Sequence, residues 1–244
     1  MLLRFLIGIL LTTPAFAWRY TVDFQNGFYW QTLPVPFTVV DDNPTRKTKM
    51  ENFVKMAMKE WEELGTDLDI WTFLQGGGTA NIIRWSDNFQ QETNMDPGSV
   101  LAVTIRYTGG PYFAKSEIIV NGNHPLTHYD THLLTTLTHE LGHTMGLDHS
   151  EKFDAIMAPS LQTSYKGVTR DDINGMTAAY EENQERSLTG FVSPLAYETE
   201  TEKNALSCGT VGAVAAPGSN FLSLALGILI GFVRKLISWF KSLK

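Results

Sequence analysis

The segment His139-Glu140-Leu141-Gly142-His143-Thr144-Met145-Gly146-Leu147-Asp148-His149-Ser150 restricts this chain more than any other. His139 and His143 are four residues apart, so on a helix they share one face. Two imidazoles so placed can bind one metal ion at about 2 Å each. Gly146 can adopt the left-handed conformation that ends a helix and reverses the chain. That reversal would return His149 as a third nitrogen. Three protein ligands and one position left for water is the donor set of a catalytic zinc. Glu140, beside the first ligand and rotated off its axis, would reach that water as a general base. The five fixed positions of H-E-x-x-H-x-x-G-x-x-H would arise by chance about once in ten thousand chains of this length. A surface helix with accidental histidines is therefore the weaker reading.

The rest of the 244-residue chain supplies one main domain's worth of apolar content. Residues 1–17 have the form of a secretory leader, with Arg4, the apolar run Phe5 to Leu11, and Ala15-Phe16-Ala17 as a small-x-small cleavage site. The mature chain would begin at Trp18. Cys208 is the only cysteine, so no intrachain disulfide can form. Of the 19 Lys and Arg, Arg4 lies in the leader and Arg234, Lys235, Lys241 and Lys244 in the tail; residues 18–210 thus carry 14 basic residues against all 26 acids. With no basic cluster there, nucleic acid is not an expected partner.

Hydrophobic periodicity outlines the elements. Residues 28–40, with Pro34 and Pro36, read as an edge strand. Asp42 or Asn43 would cap a helix with Pro44 in its first turn; Phe53, Val54, Ala57, Met58, Trp61 and Leu64 share its apolar face and Gly65 ends it. Ile70 to Leu74, Asn81 to Trp85, Val100 to Tyr107 and Ser116 to Asn121 read as strands. The metal helix is expected over about Thr127 to Gly146, opened by the pair Thr127 and Asp130, and a last helix opens at the pair Thr169 and Asp172. The fold class is α+β: a twisted mixed sheet of about five strands with three main helices.

The zinc motif followed by Ser150, the stretch Ala155-Ile156-Met157-Ala158-Pro159 with Met157 eight residues past His149 in position for a Met-turn, and Val168 to Met176 with Tyr180 together resemble the metzincin metallopeptidases, and among them the matrixins. The resemblance covers about residues 19 to 182 and implies a metzincin fold, a zinc endopeptidase and a protein or peptide substrate. It implies His139, His143 and His149 as ligands, Glu140 as catalytic base, and Met157 packed beneath the imidazoles without ligating. Pro97 to Val103 is similar to the matrixin strand that borders the cleft. A substrate would add there as an antiparallel strand, on the backbone of Leu101 and Ala102, with Pro159 and Leu161 in the wall of the pocket after the scissile bond. Val103 and Ile118-Ile119-Val120 stand where vertebrate matrixins carry ligands of a second zinc, so one ion is expected. His128 and His132, one helical turn apart, read as solvated or cap-associated. Calcium near Asp96, Glu117 or Asn121 stays open, with no binding-loop motif behind it. No prodomain cysteine precedes the first strand.

Residues 183–210 are polar and read as a linker. Residues 211–244 contain the apolar run Phe221 to Val233 and a basic end, similar to bacterial C-terminal sorting tails in which a short motif, sometimes with a cysteine that is processed or lipidated, precedes a hydrophobic helix; here that cysteine would be Cys208. A spanning anchor and an amphipathic helix lying on the membrane are both open readings. The chain is thus expected to be an exported, membrane-tethered, monomeric zinc endopeptidase of the cell envelope or surface. The rival is a displayed binding module that keeps a zinc site without catalysis.

Overall fold

A computed structural model describes residues 17–62, 68–160, 167–196 and, as backbone, 206–211. After a short helix α1 (Val22–Gln25) come strand β1 (Val35–Val40), helix α2 (Pro44–Glu62), strands β2 (Trp71–Phe73) and β3 (Ile82–Ser86), and a short helix α3 (Phe89–Thr93). The hairpin β4 (Val100–Gly109) and β5 (Tyr112–Asn121) follows, then α4 (Asp130–Thr144), α5 (Arg170–Thr189) and β6 (Leu206–Val211). The strands form one mixed sheet in the order β2-β1-β3-β5-β4-β6. β1, β2, β3 and β5 pair in parallel, whereas β4 runs antiparallel to both β5 and β6. Five strands and three long helices agree with the sequence reading; β6 is additional.

Local chemistry explains the element starts. Asn43 caps α2, its Oδ1 accepting from the N–H groups of Thr45 and Arg46 at 3.1 and 3.0 Å. Asp172 Oδ2 accepts the Thr169 N–H at 2.8 Å, the reciprocal bond of a capping box at α5. The Thr127–Asp130 pair does not play that part. Thr127 Oγ1 donates instead to the Asn121 and His124 carbonyls, residues 125–128 form a 3-10 turn, and α4 begins at Asp130.

β1 is not an edge strand. Val35 N–H donates to Ile70 O, and Leu74 N–H to Phe37 O, so the odd-numbered residues face β2. Pro36 faces the other side, before β3 begins, where its carbonyl accepts from Thr79 and Asn81 side chains and no N–H is needed. Helix α2 runs to Glu62; Gly65 and Leu64 lie outside the described residues. The boundary expected at residue 182 also moves. α5 continues to Thr189 because Asn183 is fully buried, its amide accepting from Trp30 N–H at 2.7 Å and donating to Trp30 O at 2.9 Å. Tyr29 Oη further donates to Phe191 O, so residues 183–196 are bound to the domain rather than free of it. None of the described helices is long and apolar enough to cross a membrane; the tail 212–244 lies outside the described residues.

The core lies between the sheet and helices α2 and α4. It includes Phe37, Val39, Val54, Trp61, Ile83, Ile118, Val120, Leu137 and Leu141, all nearly or fully buried. Three indoles fix α4 within it. Trp61 Nε1 donates to Thr138 O, Trp30 Nε1 to Thr144 O and Trp71 Nε1 to Thr144 Oγ1, each at 2.8–2.9 Å. A buried indole N–H needs a partner, so these bonds set the helix's depth and rotation as well as satisfying the rings.

Candidate metal centre

Helix α4 carries His139 and His143 on one face, with ring centroids 4.6 Å apart. The helix ends at Thr144, and Gly146, at φ +92°, turns the chain back. Left-handed backbone favours glycine there, and a Cβ would also stand 2.5 Å from the Phe24 ring. The turn returns His149, whose ring centroid lies 5.2 Å from that of His139 and 5.1 Å from that of His143. One nitrogen of each ring falls within 4.8 Å of the other two, close enough to share an ion. Met157 is buried beneath this site against Gly142, where any side chain would collide with its sulfur.

The other ring nitrogens are held by backbone. His139 Nδ1 bonds Ile156 O and His143 Nδ1 bonds Leu147 O, both at 2.7 Å. Carbonyls accept only, so each Nδ1 carries the proton and each Nε2 presents a lone pair. Both Nε2 atoms are buried with no hydrogen-bond partner. Such orphaned acceptors are costly unless something else binds them, and the donor set suits zinc. Burial lowers all three imidazole pKa values, that of His139 to about 3, with the neighbouring His149 adding to the effect there. Neutral rings are the metal-binding form.

The folded-state pKa of His139 lies below the unfolded value of about 6.5, so between about 6.5 and 3 the unfolded chain takes up a proton that the folded chain refuses. The metal-free protein is expected to lose stability as pH falls through that window, and to lose less in His139→Gln. Urea midpoints at pH 7 and pH 4 check it; equal drops in the two proteins would remove His139 as a cause.

Glu140, next to His139 in the chain, is fully buried, and Thr104 Oγ1 of β4 donates to its Oε2 at 2.7 Å. The next support is Asp172, which accepts from Ile156 N–H at 2.9 Å and Met157 N–H at 3.0 Å; Ser150 N–H donates to Met157 O at 2.8 Å. Desolvation raises the Asp172 pKa, a shift that its hydrogen bonds from Thr169, Ile156 and Met157 partly offset. The turn that carries Met157 is thereby tied to α5 and to the loop after His149. A further brace was not legible in the sequence. Arg106, buried in β4, forms a two-pronged bond to Asp23 of α1 at 2.7 and 2.9 Å and donates to His143 O. A cation at the helix C-terminus is well placed against the dipole. No motif announces it, because 83 residues separate the partners.

Other expected residues have distinct positions. Leu101 and Ala102 are fully buried in β4, Leu101 at a register shift against β6 and Ala102 opposite Thr210. Pro159 is exposed, and Leu161 lies outside the described residues. Val103 and Ile119 pack with Phe89 in a small apolar cluster. His128 Nε2 bonds Gly122 O and its ring meets Trp85, whereas His132 packs on Tyr129. Asp96 accepts from Gly98 and Ser99, Glu117 pairs with Arg84, and the Asn121 amide donates to Pro97 and Val100 carbonyls. These three side chains hold local structure.

The mixed sheet, the metal helix and the loop that returns the third histidine over a buried methionine define a metzincin-type domain. The Matrixin peptidase family profile matches residues 29–181, and the chain belongs to that family. It is 33% identical to mouse matrilysin over 172 residues, covering 64% of this chain and 60% of the relative. It is 27% identical to mouse stromelysin-1 over 168 residues (62% of this chain, 32% of the relative). Over 128 residues it is 33% identical to mouse matrix metalloproteinase-19 (51% and 22%). The chain thus spans between about a fifth and three fifths of the length of these relatives.

Proposed function

We propose that the protein is an exported zinc metalloendopeptidase. One observation carries this reading: two orphaned buried imidazole nitrogens and a third histidine converge at the helix that also carries the buried Glu140. His139, His143 and His149 would hold one zinc, which when bound supplies Lewis acidity and a water of lowered pKa. Glu140 takes the proton from the attacking water and passes it to the leaving amine. Thr104 holds that carboxylate by its hydroxyl. The backbone of β4 near Leu101 and Ala102 seats an extended peptide, with Pro159 and Leu161 walling the far side. Residues 1–17 act as the leader and 211–244 as a membrane-sorting tail.

The test is metal removal and return on one sample. Chelation is expected to abolish cleavage of a peptide library, and one equivalent of zinc per chain to restore it. Cleavage that persists at full rate without bound metal would overturn the proposal.

A further inference from the structure

The outer edge of β4 is already occupied by the chain itself. Strand β6 pairs with it antiparallel, from Val100 opposite Val211 through Ala102 opposite Thr210 and Thr104 opposite Cys208 to Arg106 opposite Leu206. β6 also contacts helix α4. The paired stretch of β4 contains Leu101 and Ala102, and it contains Thr104, whose hydroxyl holds Glu140. β6 lies beyond the family match at residues 29–181.

We propose that residues 206–211 are a resident pseudo-substrate that holds the peptidase latent in cis. The inference rests on the peptide-binding role given above to the β4 edge. An open strand edge offers a row of unpaired N–H and C=O groups, and any extended segment of matching direction can complete it. A segment on the same chain does so at a high effective concentration, on the order of millimolar, so even weak pairing keeps the edge filled. An incoming peptide must first displace it. Its apparent affinity then falls by the fraction of molecules in which the edge is open.

The test uses the full chain in mild detergent, loaded with zinc, in two forms. In the first, Cys208→Pro and Gly209→Pro are combined. In an antiparallel pair successive residues turn their N–H groups to opposite sides, so one of these two necessarily faces β4, and proline removes it. In the second, a site for a sequence-specific protease is inserted after residue 200 and cut in the purified, folded protein; this avoids any failure of the proline variant to fold. The first readout is hydrolysis of a short fluorogenic peptide. The second is binding of a labelled synthetic peptide with the sequence of residues 204–213, followed by anisotropy. If the edge is open in about a tenth of molecules, both forms should lower KM and tighten peptide binding about tenfold, with kcat unchanged.

Unchanged KM and unchanged peptide binding in both forms would overturn the inference and leave β6 as a sixth structural strand. Tighter peptide binding without hydrolysis in any form would support it while overturning the peptidase reading.

Discussion

Replacing Glu140 with glutamine is expected to lower kcat by about 10²–10⁴-fold while KM and zinc content stay near wild type. Glutamine keeps the length and an acceptor for the Thr104 hydroxyl, which reaches the carboxylate at 2.7 Å. It cannot take a proton from water. The residue is fully buried, so the variant changes no exposed surface. Steady-state kinetics with metal analysis on the same protein decide the matter. An undiminished kcat would remove Glu140 from the chemistry, and a loss of zinc would make it a structural support of the site instead.

Removing the carboxylate of Asp23 is expected to cost about 3–5 kcal/mol of stability, because it leaves the Arg106 guanidinium buried and half-paired. Arg106 and Asp23 are 1% and 4% exposed, so water cannot replace the lost oxygen atoms. The strain would be felt at the site, since Arg106 also donates to the carbonyl of His143. Urea unfolding of Asp23→Ala measures the loss. The double variant Asp23→Leu with Arg106→Met should recover much of it, as apolar replacements of buried ion pairs often do. A single variant as stable as wild type would show that Asp23 does not anchor the guanidinium.

Glu140 was legible in the order of residues, whereas the Asp23–Arg106 pair was not. Glu140 belongs to a motif of fixed spacing on one helix and its turn, where geometry follows from 3.6 residues per turn and one left-handed glycine. Asn43 with Pro44 and Thr169 with Asp172 were legible for the same reason: a capping side chain acts on backbone two or three residues away. The prolines of β1 misled, because proline excludes only a ladder bond on one side, and Pro36 faces a stretch where β3 has not yet begun. Thr127 misled as well; its hydroxyl found carbonyls of the preceding turn instead of α4.

The order of residues was enough for the candidate triad, its helix and the carboxylate next to it in sequence, since each depends on spacing within about a dozen residues, and for the family once the segments up to Tyr180 are added. What holds that triad came from long-range packing: the indoles of Trp30, Trp61 and Trp71 on α4, Asp172 under the Met157 turn, and the Asp23–Arg106 pair behind His143. It also decided that Leu206–Val211 closes the β4 edge. Contacts of this kind join positions tens to more than a hundred residues apart. Their partners are chosen by burial and by the need to satisfy every enclosed polar group, which no local pattern records.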